Sequence, residues 1–112
     1  IALNKKDASL WFSLALLEVR EGNGEAALGA LEKAASLEET PSYYHYVYAV
    51  AQHDQGRPAE AMATLKAANR AAPGQPNVIA ALMQYSQLAG DMLGAQRYQA
   101  ELRNTAQAAG VP

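Results

Sequence analysis

The sequence predicts an all-α fold, an α-solenoid of about six helices arranged in antiparallel pairs. Three observations point there. Of 112 residues 25 are alanine, the strongest helix former, against one Trp and one Phe. Glycine and proline gather in short clusters, Gly22-Asn23-Gly24, Gly56-Arg57-Pro58 and Pro73-Gly74-Gln75-Pro76, which read as breaks between helices. Gly22, Gly56 and Gly90 are spaced 34 and 34 apart. Matching alanines mean little in a chain this rich in them. Glycine, at about 7% of ordinary usage, carries more weight.

The elements follow in order. A first helix over about 8–21 has Asp7 as its cap and Gly22 as its left-handed stop. A second spans about 25–37. The third, about 42–55, holds the tract "YYHYVYAV", whose period-two alternation and β-branched content also suit a strand. Pro41 ahead of it is a helix-start signal, a lone strand would have no partner, and the tract falls in a first-helix slot of the 34-residue period. Helix is the consistent reading. A fourth helix runs over about 58–71 from Pro58, a fifth over about 77–89, and a sixth over about 92–108 capped by Asp91.

The period extends well beyond glycine. Trp11, His45 and Ile79 share one step; Leu14, Tyr48 and Leu82 another; Ala27, Ala61 and Ala95 a third; Leu31 and Leu65, then Ala34 and Ala68, continue it. A 34-residue helix–turn–helix unit with large apolar, leucine, alanine and closing proline positions resembles the tetratricopeptide repeat, and the likeness covers nearly the whole chain. Where that family places a tyrosine late in the first helix, this chain has Glu18, Gln52 and Ser86. The repeats then occupy 7–40, 41–74 and 75–108, with 1–6 as the tail of a preceding repeat because Leu3 falls in the slot of Leu37 and Ala71. This leads to the expectation of a C-terminal piece of a longer array, part of a bacterial scaffold, whose last helix caps the end with the polar stretch "RNTAQ".

At about 100° per residue, the third helix divides into two faces. Tyr44, Tyr48 and Ala51, with His45 beside them, point to the core together with Trp11. Tyr43, Tyr46, Val47, Val50 and His53 form the adjacent stripe, which the resemblance implies lines the concave groove of a superhelix. The neighbouring first helices add Ser9, Phe12, Leu16 and Val19 on one side and Asn77, Ala80, Gln84 and Gln87 on the other. The expected partner-binding residues are Phe12, Leu16, Val19, Tyr43, Tyr46, Val50 and His53, with Gln84 and Gln87 as amides that read a peptide backbone. A protein or peptide partner is implied. The resemblance's two-carboxylate clamp is excluded, since Phe12 and Tyr46 stand where it would want a basic residue.

Other functions find no support in the residues. The net charge is −2 and no basic run exists, so nucleic acid is not expected as a partner. The longest apolar runs are too short for membrane insertion. No cysteine is present, the two histidines lie eight apart, and no phosphate loop or nucleophile motif occurs. Hence no cofactor, metal or catalytic residue is expected, and the chain reads as a non-enzyme. Two alternatives stand beside the peptide groove: self-association through the concave face or the exposed N-terminal edge, and service as an accessory C-terminal tail of a larger enzyme or redox protein.

Overall fold

A computed structural model describes residues 5–37, 41–108 and 110. Those residues form α1 (Lys5–Arg20), α2 (Gly24–Ser36), α3 (Ser42–Asp54), α4 (Pro58–Ala71), α5 (Pro76–Leu88) and α6 (Met92–Ala108). The tract at 43–50 is helical throughout. Leu3, which marks the preceding-repeat tail, lies outside the described residues, as do Glu38, Glu39 and the final Val111-Pro112. α1 starts at Lys5, ahead of the expected boundary, so Asp7 is inside the first turn and not the cap.

Each helix packs on the next in chain order, and α3 also touches α5. The result is an elongated body of 41 × 29 × 21 Å, in which α1, α3 and α5 form one layer and α2, α4 and α6 the other. It is an α-solenoid.

The three turns inside the pairs are built alike, and the reason is chemical. Gly22, Gly56 and Gly90 adopt φ of 80°, 78° and 81°, where any side chain is strained. Their N–H groups donate to the carbonyls of Val19, His53 and Gln87, at 3.1, 3.0 and 3.1 Å. The following residues, Asn23, Arg57 and Asp91, donate back to Glu18, Gln52 and Ser86 at 2.8, 2.9 and 2.8 Å. This double bond satisfies the carbonyls a helix end would otherwise orphan. Asp91 Oδ1 accepts from the Gly94 N–H at 2.9 Å, so it does cap α6. A Cβ at Gly94 would meet the Asp91 carboxylate, which would have to shift.

Alanine sets the depth of the core. One cluster joins Ala49, Ala61, Leu65, Ala68, Val78, Ala81, Leu82 and Tyr85; another joins Ala15, Ala30 and Leu31. The slot where the resembled repeat has a tyrosine is filled three ways. Glu18 accepts from the Asn23 amide at 2.9 Å, which accounts for an acid on that side of α1. Gln52 is buried and accepts from the Thr64 hydroxyl at 2.6 Å, tying α3 to α4. Ser86 is buried, and among the described residues its hydroxyl has no partner.

Candidate functional site

Residues 34 apart on α1, α3 and α5 occupy equivalent repeat positions, which define rows. The rows are Ser9, Tyr43, Asn77; then Phe12, Tyr46, Ala80; then Leu16, Val50, Gln84; then Val19, His53, Gln87. Leu16, Val19 and Tyr43 are 48%, 56% and 52% exposed. Gln84 and Gln87 are also exposed, and Phe12, Tyr46, Val50 and His53 are partly so. All nine expected residues therefore reach solvent.

Aromatic contacts link the helices across these rows. Phe12 of α1 stacks on Tyr44 of α3, centroids 4.5 Å apart and planes within 9°. Phe12 also meets Tyr43 at 5.9 Å, and Tyr43 meets Tyr46 at 6.1 Å, both tilted as the ring quadrupoles prefer. Tyr46 rests against the second-repeat core. Farther along α3, His53 stacks on Tyr85 of α5 at 4.0 Å and 11°. Burial first, then the Asp54 carboxylate and Tyr46, raise the Tyr85 phenol above its ordinary pKa. Beside Val19 a cavity of about 210 Å³ opens between the first two turns, lined also by Gly24, Ala27, Ala51, Asp54 and Gln55.

Val47 packs on the Ala15–Leu31 cluster, as Phe12 does. Trp11 and Tyr48 pack on that cluster too, in line with their expected core position, and with Tyr44 they are half-buried. The alanine-lined core is too shallow to enclose them; Trp11 is covered in part by the Lys33 ammonium, 4.5 Å from its centroid. Tyr85, buried in the second-repeat core cluster, occupies the slot of Ala51 one repeat later.

The opposite face differs. There His45 and Tyr48 floor a cleft of about 230 Å³ between α2 and α4, edged by Glu32, Ser36 and Thr64. Burial lowers the His45 imidazole below its ordinary pKa. Among the described residues no group of three or more His, Cys, Asp or Glu side chains is arranged to hold a metal ion, and no helix is long and apolar enough to cross a membrane.

The family model for the tetratricopeptide repeat matches residues 3–85. The chain belongs to the tetratricopeptide repeat family. No curated protein matches it in sequence. Among solved structures, the tetratricopeptide fold of this chain is similar to that of PcrH, described as a crystal structure in complex with the chaperone binding region of PopB. The TM-score is 0.80 at 15% identity, over 95% of this chain and 86% of the other. At that identity the likeness concerns the fold.

Proposed function

We propose that this tetratricopeptide domain is a protein–protein interaction module that grips an extended or helical segment of another protein in the groove along α1, α3 and α5. One observation carries the reading: large apolar side chains at Leu16, Val19 and Tyr43 are about half in water on a floor of packed helices. Scattered apolar side chains on a surface are ordinary, but a contiguous apolar and aromatic strip indicates a binding surface. The floor is already folded, so little ordering entropy opposes association. Tyrosine adds contact area with a polar tip, and the Gln84 and Gln87 amides suit a peptide backbone. Family membership supports the class, and PcrH, seen with a region of another protein, is consistent with it. Binding fits better than catalysis, because the one imidazole of the groove, His53, is engaged with the Tyr85 ring.

The test uses peptides selected on the folded chain from a random display library. They are expected to carry large apolar anchors and to lose at least tenfold in affinity when Leu16→Asp and Tyr43→Asp are combined. Ala67→Asp, on the opposite face, should leave them unchanged. Peptides that ignore the groove substitutions but are lost with Ala67→Asp would move the site to the α2–α4 cleft. A chain that dimerises through Tyr43 would favour self-association instead.

A further inference from the structure

The cleft between α2 and α4, on the face away from the groove, has a counterpart one repeat later, and the two are built differently. Its walls are small: Ala35 of α2, Thr64 and Ala67 of α4. Stepping 34 residues puts Asn69, Tyr98 and Glu101 in their places, on α4 and α6. There the Asn69 amide donates to the Glu101 carboxylate at 2.9 Å from helix to helix, and the Tyr98 ring packs on the cluster that holds Leu65 and Leu82. The floors differ in the same sense. Ile79 and Leu82 are fully buried, whereas His45 and Tyr48, at the same positions one repeat earlier, are half-buried beneath a space of about 230 Å³. The later cleft is closed by its own side chains. The earlier one lacks the residues that would close it.

Size and lining narrow the occupant. Pockets for drug-sized molecules and cofactors span about 300–1,000 Å³, so this cleft holds a single side chain. Two rings form the floor, and rings gain from tilted or offset contact with another ring beyond the area they bury. The polar groups choose among rings. The Thr64 hydroxyl is engaged with Gln52 at 2.6 Å and the Ser36 hydroxyl with the Lys33 carbonyl at 3.0 Å. That leaves the His45 imidazole, which makes no hydrogen bond to another described residue, and the exposed Glu32 carboxylate at the rim. Burial favours the neutral imidazole, whose bare nitrogen accepts a hydrogen bond, as the carboxylate does. Both want a donor, which a phenol carries at the edge of its ring. Glu32, Ser36 and Ala67 are exposed around the opening, which leaves room for a main chain to pass over it.

We propose that the α2–α4 cleft seats a tyrosine side chain of a partner polypeptide, packed as Tyr98 is packed one repeat later, with its hydroxyl toward His45 and Glu32. This seat lies on the other face of the molecule and is independent of what the groove binds.

The probe is N-acetyl-tyrosine amide, titrated into the 112-residue chain and followed by NMR. Saturable shifts are expected at His45, Tyr48 and Thr64. N-acetyl-phenylalanine amide, without the hydroxyl, should bind at least threefold more weakly, and N-acetyl-leucine amide at least fivefold. Thr64→Tyr supplies from within the ring that Tyr98 supplies to the later cleft, and Ala67→Trp covers the opening from an exposed position; each should weaken the probe at least fivefold. Thr64→Tyr breaks the bond to Gln52, so its fold is checked by circular dichroism, whereas Ala67→Trp leaves that bond intact. The groove pair Leu16→Asp and Tyr43→Asp should leave the probe within twofold, so the cleft and the groove succeed or fail separately. Absence of saturable shifts at His45 and Tyr48, or a folded Ala67→Trp chain that binds like the parent, shows that the cleft is not a seat. Leucine amide binding as tightly as the tyrosine probe makes the occupant wrong. If p-cresol binds at least threefold more tightly than the capped residue, the cleft takes a free phenol and the partner polypeptide is overturned.

Discussion

Tyr43 and Tyr46, one turn apart on α3, should separate binding from folding. Tyr43 is 52% exposed and touches Phe12 and Tyr46 only through tilted rings at 5.9 and 6.1 Å. Replacing it by alanine removes about half the burial of a large side chain, about 1 kcal/mol. The better helix propensity of alanine returns about 0.5 kcal/mol. The net loss of about 0.5 kcal/mol lowers Tm by about 2–3 °C in a domain of this size. Tyr46 instead packs on the cluster of Ala49, Val78 and Tyr85. Tyr46→Ala opens a gap there and should cost about 2–3 kcal/mol, the low end for an aromatic because the ring is only partly covered. That corresponds to a fall of about 10 °C. Each substitution should weaken a groove-selected peptide at least tenfold, as loss of an aromatic anchor does. Circular dichroism melts and peptide titrations measure both quantities. The reasoning fails if Tyr43→Ala lowers Tm as far as Tyr46→Ala, or if it leaves peptide affinity within twofold.

Other substitutions test the frame. Gly56→Ala should cost about 1–2 kcal/mol for a left-handed alanine alone, because no atom lies within 4 Å of the added Cβ; Gly22→Ala and Gly90→Ala should cost the same. A melt that ranks the three widely apart would show that the turns are not equivalent. Leu65→Ala, fully buried between α4 and α5, should lower stability by about 3 kcal/mol, read by urea unfolding. Ser86→Ala removes a buried hydroxyl that has no partner among the described residues, and should be neutral or raise Tm slightly. His45 has its folded pKa lowered by burial, so the unfolded chain binds the proton more readily. The stability tied to it is present above the ordinary histidine pKa and is lost as pH falls through and below that value. His45→Gln should flatten the Tm-versus-pH curve between about pH 7 and pH 5 relative to the parent chain.

The register was legible because it is written in residues with a steric requirement. Three glycines at positive φ fix three identical turns, and each turn fixes the phase of the helices around it. Once phase is known, equivalent positions follow by stepping 34, which is why Phe12, Tyr46 and Ala80 can be aligned without coordinates. Depth was not legible. Helical angle says which way Trp11, Tyr44 and Val47 point, but burial depends on how much of a neighbouring helix stands there. Nothing in the residues of α3 alone reveals that Val47 meets the Ala15–Leu31 cluster or that Tyr44 lies flat on Phe12. Tyr85 was within reach of the same stepping rule, since it occupies the slot of Ala51, and its stack with His53 needed only the fold.

The fold and its exposed aromatic residues have a common origin in alanine. Eleven of the 18 buried apolar residues among those described are alanines, so helices approach closely and leave little interior volume for rings. The aromatic residues of α1 and α3 cannot be swallowed by such a core; they lie along the seams between the first helices, stacked on one another and partly in water. A Leu- or Phe-filled interior would push these helices apart and open room for the tyrosines to turn inward, closing the strip. The same economy shapes the interfaces between pairs. With α2 and α4 offering Leu31 and Leu65 between alanines, the α4 interface takes a large apolar stripe, Val78, Leu82 and Tyr85, from the first helix that follows. Leu10, Leu14 and Leu17 of α1 hold the same positions two repeats earlier.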